Sequence, residues 1–271
     1  MIVLLLVPLG MILLFLIYLF VLLRPSALPR NAGPALFCHY AHRGLHGDAI
    51  PENSLAAFRA AADAGYGIEL DIQRSSDGEV MVFHDDTLDR MTDVCGKLNE
   101  KTAAELGALH LKTADGQPSD QTIPTLQEVL QTVDGRVPLL IELKGESTDT
   151  ALCPVADAIL RGYHGAFCVE SFNPMLLYWY RKHNPSVLRG QLYTDVCREK
   201  GRSVLHALLT CMALNVLSRP HFIAYDRKYR HKLAVILTTR FFSAKHFVWT
   251  VRKSSQMPDD GTPTIFEFIR P

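Results

Sequence analysis

The chain has 271 residues, and its 28 Lys+Arg are balanced by 28 Asp+Glu. That neutrality excludes a polybasic nucleic-acid binder, whose affinity depends on an excess of phosphate-neutralising charge. With 48% hydrophobic and 21% charged residues the chain is not disordered, and six cysteines with no CxxC pair make neither a disulfide scaffold nor a zinc ribbon.

The first predicted element is a membrane span. Residues 2–23 carry no charged side chain. About 22 helical residues reach roughly 33 Å, enough for a hydrocarbon core of about 30 Å, and Pro8 and Gly10 are tolerated in such helices. A cleaved signal would want a basic leader and an apolar stretch of about 7–15 residues. The run here starts directly after Met1 and is longer, so a retained single-pass anchor is expected. Arg24 and Arg30 follow it, which by the positive-inside tendency puts the C-terminal bulk in the cytoplasm, where the cysteines stay reduced. Residues 24–36, rich in Pro and small residues, read as a linker.

From 37 to 271 the chain alternates strand and helix. Apolar runs of strand length lie at 37–40, 67–72, 80–83, 137–143, 166–169, 188–193, 222–224 and 247–251. Asn53 and Ser54 can cap a helix that ends at Gly65, and Thr125 caps one that stops at Asp134-Gly135. Pro174 opens another, halted before Pro185, and 195–217 is a long stretch that is mostly helical in pattern. Asp77-Gly78 reads as a tight turn joining two strands. Eight strand candidates in about 235 residues suit a TIM (β/α)8 barrel; a doubly wound sheet is the competitor, because periodicity alone does not separate them. The polar stretch of about 86–122 lacks a clear strand and reads as an insertion after the third one.

Four apolar strands run into ionisable residues: His42-Arg43, Glu69 with Asp71, His84-Asp85, and Glu142 with Lys144. Parallel barrel strands place such ends on one face, where active sites lie. Glu69 and Asp71 are two apart and share a side of their strand, as do Glu142 and Lys144. Three converging carboxylates repel unless a cation sits among them, and hard oxygen ligands favour Mg²⁺ or Ca²⁺. His42 and His84 can exchange protons near neutrality, while Arg43 and Lys144 suit phosphate oxygens. The set fits metal-assisted phosphoryl chemistry. His39 and His110, standing alone, read as packing or rim residues.

At these residues the chain resembles the glycerophosphodiester phosphodiesterases. The matching pieces are AHRG at 41–44, PENS at 51–54, IELDIQ at 68–73, DGEVMVFHD at 77–85, DRMT at 89–92, IPTLQEVL at 123–130, IELK at 141–144, ESF at 170–172 and VWTV at 248–251. The resemblance covers roughly residues 38–251 and implies a TIM barrel with a small insertion after the third strand. It implies His42 and His84 as the general acid/base pair. Glu69, Asp71 and Glu142 take the places of the ligands of a divalent cation, and Arg43 and Lys144 those of the phosphate-contacting cations. Glu52 matches a supporting carboxylate near the metal, with N-terminal capping as its alternative. Trp249 matches an aromatic of the substrate pocket, with core packing as its alternative. The chain departs from the family pattern at Arg252, where Asn is usual, in its closing segment TPTIFEFIRP, and across 195–245.

The implied function is hydrolysis of glycerophosphodiesters, such as glycerophosphocholine, to glycerol 3-phosphate and an alcohol. The anchor motivates a second reading, lysophospholipase D action on membrane lysolipids, in which Tyr178-Trp179-Tyr180 either touches the interface or packs in the core. A third is a catalytically silent, membrane-tethered binding module. The partners implied are a phosphodiester substrate and the membrane, without nucleic acid.

Overall fold

The computed structural model describes residues 2–29, 32–145 and 147–271; Arg30, one of the two positive residues behind the topology expectation, lies outside them. Helix α1 (Ile2–Ile17) continues in π-wound turns through Tyr18–Leu23. Its stretch Leu6–Leu23 is long and apolar enough to cross a membrane. Beyond it come β1 (Tyr40–Ala41), α2 (Leu55–Asp63), β2 (Gly67–Arg74), β3 (Val80–Val82), α3 (Ala103–Gly107), β4 (His110–Lys112), β5 (Pro118–Thr122) and α4 (Leu126–Val133). The chain continues through β6 (Leu139–Leu143), α5 (Leu152–Leu160), β7 (Phe167–Ser171), α6 (Pro174–His183), β8 (Arg189–Tyr193), α7 (Val196–Glu199), α8 (Val204–Thr210) and α9 (Asn215–Ser218). It ends with β9 (Phe222–Asp226), α10 (Leu233–Ile236), β10 (Lys245–Val251) and β11 (Thr264–Phe266).

Among the described residues, eight parallel strands close on themselves in the order β1-β11-β10-β9-β8-β7-β6-β2, with β2 returning to β1. This is the expected TIM barrel. Strand alternation divides its side chains. Ile68, Leu70, Ile72, Leu139, Ile141, Leu143 and Val169 point outward and are buried under Phe58, Leu126, Val129, Leu177 and Tyr180 of the helices. Tyr40, Leu140, Cys168, Phe222 and Phe247 fill the lower interior. Gly190 makes room there, since a Cβ on it would meet the Phe222 ring at 1.9 Å.

Two sequence expectations need correction. Residues 80–83 are not a barrel strand: β3 pairs antiparallel with the overhanging end of β2 through the Asp77-Gly78 turn. The eighth barrel strand is β11, a three-residue segment too short to show a period. The stretch 86–122 does contain strands, because β4 and β5 form a small antiparallel sheet over their own apolar cluster of Leu88, Leu98, Leu106 and Leu111. The stretch 195–217 is mostly helical as expected, divided into three short helices, α7, α8 and α9. Gly201 turns the chain at φ +88° between the first two, and Met212 turns it at φ 53° before the third.

The helical ends follow local chemistry. Ser54 caps α2 by accepting from Ala57 N, and Thr125 caps α4 in a reciprocal box with Glu128. Tyr180 is fully buried in the core and Trp179 packs partly against it, while Trp179 also stacks on the exposed His183 at 4.5 Å and Tyr178 lies half-buried under Lys182.

The end of the N-terminal helix is part of the barrel wall. Leu19 and Leu23 are buried among Tyr193, Met212, Ile223 and Tyr229. Tyr18 Oη donates to Cys211 O at 2.9 Å, Asn215 Nδ2 to Leu23 O at 3.2 Å and Arg219 Nη1 to Arg24 O at 2.9 Å. The segment read as a linker then follows the foot of the barrel. Ser26 N donates to Pro220 O at 2.8 Å, and Leu36 packs against the lower interior.

Candidate active site

Register gathers the acids. Asp71 pairs with Glu142, and Glu142 with Glu170, across β2, β6 and β7. All three therefore lie in one inward row, directly above the apolar layer that holds Leu140 and Cys168. Glu69 lies on the same side of β2, two residues before Asp71. Each of the four is buried, and ligand oxygens of Glu69, Asp71 and Glu142 lie within 4.8 Å of one another.

Two cations and an amide hold this cluster. Arg43 donates from its backbone N to Glu69 Oε2 at 2.8 Å and from Nη1 to Glu52 Oε1 at 2.7 Å, and its Nε lies 3.5 Å from Asp71 Oδ2. It can do so because the turn after β1 is tight: Arg43 has φ 56°, and Gly44, at φ +81°, sits where a Cβ would meet Ala57 at 2.8 Å. Lys144 Nζ lies 2.9 Å from Glu142 Oε1 and 3.1 Å from Asp71 Oδ1. Asn53, expected as a helix cap, instead donates from Nδ2 to Asp71 Oδ2 at 2.9 Å.

These contacts set the protonation pattern. Burial opposes the charge of Asp71, but Lys144, His84, Arg43 and Asn53 outweigh it and hold its carboxyl well below the ordinary range. Burial also opposes the charge of Arg43, and Asp71, Glu52 and Glu69 raise its pKa nonetheless. Glu69 is pushed well up by burial and by Asp71, Glu142 and Glu170. Glu142 is raised chiefly by burial, against the pull of Lys144. Glu170 is raised well above the ordinary value by burial, then by Glu142 and Asp71, and neither of its oxygens has a hydrogen-bond partner. Four buried carboxyls against two cations leave a deficit of two charges, which is what one divalent ion carries. Burying unpaired carboxylates costs several kcal/mol each, so the donor set fits a hard divalent cation held by Glu69, Asp71 and Glu142.

Each histidine has its own carboxylate. His84 reaches the mouth from above, because β3 returns antiparallel and Phe83 N bonds Asp71 O. Its Nδ1 contacts Asp85 Oδ1 at 2.6 Å. Although burial opposes its charge, Asp85 is held below its ordinary range by His84 and Arg90, so the ring is oriented through Nδ1 and its other nitrogen, Nε2, is outside this pair. His42 follows β1, with Nδ1 3.7 Å from Glu267 Oε1, and His46 Nε2 lies 3.2 Å from the same oxygen. Burial lowers the pKa of His42, although Glu267 pulls it upward. Glu267 itself is held well below the ordinary range, against burial, by His42, His46 and Arg252. The departing residues of the sequence thus meet: Arg252 ion-pairs with Glu267 just past β11.

Glu52 is clamped between Arg43 and Arg90, with Arg90 Nη2 2.6 Å from its Oε1. Trp249 meets Phe172 edge-to-face at 5.7 Å beside the upper interior. A cavity of about 890 Å³ opens from His84, Glu142 and Lys144 and continues along Phe172, Leu192, Leu209 and Met212.

Sequence reasoning missed Glu170, Asn53, Arg90, His46 and Glu267. Glu170 carried the signal used elsewhere, an apolar strand running into an acid. Glu267 gave none, since its importance depends on β11 being a barrel strand.

Known proteins resemble the chain in sequence and in fold. Residues 42–259 match the glycerophosphoryl diester phosphodiesterase family. The chain belongs to that family. A glycerophosphodiester phosphodiesterase of Caldanaerobacter subterraneus is 31% identical over 160 residues, covering 56% of this chain and 65% of that one. Mouse glycerophosphodiester phosphodiesterase 1 is 34% identical over 160 residues, 55% of this chain and 46% of its own length. The matched stretches thus span about half to two thirds of these relatives. Among solved structures, a phosphodiesterase of Oleispira antarctica in complex with the product sn-glycerol-3-phosphate superposes with a TM-score of 0.71 at 25% identity, covering 86% of this chain and 93% of that one.

Proposed function

We propose that this chain hydrolyses glycerophosphodiesters to glycerol 3-phosphate and an alcohol, using a divalent cation and two histidines. One observation carries the reading: Glu69, Asp71 and Glu142 converge within 4.8 Å at the barrel mouth, where His84 and His42 each stand beside a carboxylate. Family membership and the product complex of the Oleispira relative support it. A cation bound by the three acids would supply Lewis-acid stabilisation of the phosphoryl oxygens. Arg43 and Lys144 add fixed positive charge beside them. His42, kept neutral by burial, accepts the proton of the nucleophile, either water or the neighbouring glycerol hydroxyl. His84, oriented by Asp85, gives a proton to the leaving alkoxide from Nε2. Glu267 and Asp85 hold the two rings, and Arg90 ties Asp85 to Glu52.

The test is phosphodiester cleavage across several headgroups with EDTA, then with Mg²⁺ or Ca²⁺ restored. Activity that returns with either ion supports the reading. EDTA-insensitive turnover overturns the ligand assignment, and absence of any divalent-dependent turnover favours the silent binding module.

A second reading is lysophospholipase D action. It is favoured by the mostly apolar far end of the cavity, at Leu209 and Met212, and by the membrane-length helix docked beside it. In this reading residues 2–23 anchor the barrel to a membrane, with the barrel on the cytoplasmic side as Arg24 and Arg30 direct. Parallel assays on glycerophosphocholine and on lysophosphatidylcholine separate the two.

A further inference from the structure

The cavity has an apolar outer lip that the chemistry does not use. In α8, Val204 is 80% and Leu205 56% exposed, with Leu208 beside them; Leu233, opening α10, is 59% exposed. Both helices follow barrel strands, β8 and β9, and α8 reaches the catalytic face, where Leu209 lines the cavity. Leu205 also lines the cavity that begins at His84, Glu142 and Lys144.

The N-terminal helix is fixed to the same lip. Followed backward from Arg24, its contacts climb the barrel wall. Arg24 meets Arg219, just before the foot of β9. Leu23 meets Asn215, and Tyr18 meets Cys211, the residue after α8. Leu6–Ile17 then continue beyond that edge with exposed apolar side chains. The helix therefore leaves the barrel on its catalytic side. The segments flanking α8 and α10 carry exposed cations, Arg198, Lys200, Arg202, Lys228 and Arg230, of which Lys228 pairs with Asp226. Glu199, the one acid within 196–203, accepts from the Tyr229 hydroxyl. Apolar residues flanked by cations suit the interface of an anionic bilayer.

We propose that the α8 lip beds in the bilayer interface beside the span, so that the barrel mouth faces the membrane. The mouth takes a single-chain lipid phosphodiester, whose acyl tail lies along Leu205, Leu209 and Met212. This rests on the lysolipid reading and on the membrane span. A lipid surface, rather than a second protein, is the occupant because the lip is continuous with a membrane-length helix.

The experiment uses the full chain in nanodiscs of phosphatidylcholine and phosphatidylglycerol. A photoreactive benzoylphenylalanine replaces Val204 and, in a second protein, the exposed Asp63 at the far end of α2. The expected result is lipid adducts at position 204 at least tenfold above those at 63. In addition, the double variant Val204→Asp/Leu208→Asp should lose at least tenfold in turnover of lysophosphatidylglycerol. It should keep soluble glycerophosphoglycerol turnover within twofold, which also reports intact folding. Equal adducts at the two positions, or none at 204 in disc-bound protein, overturn the lip. A wild-type enzyme that cleaves only the soluble diester overturns the lysolipid reading, while the adducts still judge the lip. Protein that fails to enter discs overturns the span and the lip together.

Discussion

Residues 40–171 and residues 189–266 each contribute four parallel strands to one closed sheet, yet they use the inward positions at its mouth differently. The first half places Asp71, Glu142 and Glu170 side by side; in register with Glu170, the second half has Gly190. Beyond it come Leu192, Ala224 and Trp249, with the apolar part of the cavity against α8. Charge in a low-dielectric interior needs partners within a few ångströms, so the acids and their cations gather on neighbouring strands. The opposite wall carries the mostly apolar part of the cavity. Two acids lie on the second half nonetheless: Asp226, buried at the end of β9 and in register with Trp249, and Glu267 past β11, which reaches across to His42.

The sharpest way to break this contrast is at the histidines. His42→Ala and His84→Ala should each lower kcat by about 10²–10⁴, whereas Met212→Ala on the opposite wall should act mainly on KM. Steady-state kinetics decide it, and near-normal turnover of His42→Ala would refute its role.

Glu170→Gln probes the charge deficit with two opposite signs. Removing a buried carboxyl without a partner should raise the melting temperature of EDTA-treated protein. The same change should weaken divalent-ion binding by about 10–100-fold, as read by titration calorimetry. A variant with unchanged ion affinity removes Glu170 from the cation's surroundings.

The crossing contact at Glu267 predicts a smaller, pH-dependent effect. Burial lowers His42 from the ordinary 6.5, so the acid limb of kcat/KM should have its midpoint below that value. Glu267 pulls His42 upward, so Glu267→Gln should move the midpoint lower still. The carboxyl of Glu267 is itself depressed from 4.5. Its stabilisation is therefore present above that pH and is lost as pH falls. The melting-temperature gap between wild type and Glu267→Gln should begin to narrow as pH falls below about 4.5 and keep narrowing to the lowest pH at which the fold survives, since the folded-state carboxyl titrates well below its ordinary value.

The smallest effect lies outside both walls. Thr125→Ala removes the cap of α4 and should cost about 1 kcal/mol in denaturant unfolding, with kcat unchanged.

Much of the first wall was readable along the chain. Apolar residues running into Glu69, Asp71, Glu142 and Lys144 mark strand ends locally, and the Ser54 and Thr125 caps carry their own signatures. Other features were not readable. The antiparallel course of β3 depends on pairing with β2, and its His84 enters the mouth from above rather than from a barrel strand. The breaks between α7, α8 and α9 come from left-handed turns at Gly201 and Met212 within an otherwise helical pattern.

What the amino-acid sequence alone determined is local: the membrane-length apolar helix, the strand and helix periods, and which residue types the site contains. What only the tertiary structure decided is long-range. The register aligns Asp71, Glu142 and Glu170, β11 closes the cylinder and brings Glu267 to His42, and Asn53 turns from its helix to Asp71. The wall contacts fix the end of the N-terminal helix against Cys211, Asn215 and Arg219. The physical reason is that a strand's pairing partners and a buried charge's neighbours come from distant parts of the chain, and no local pattern encodes which of them meet.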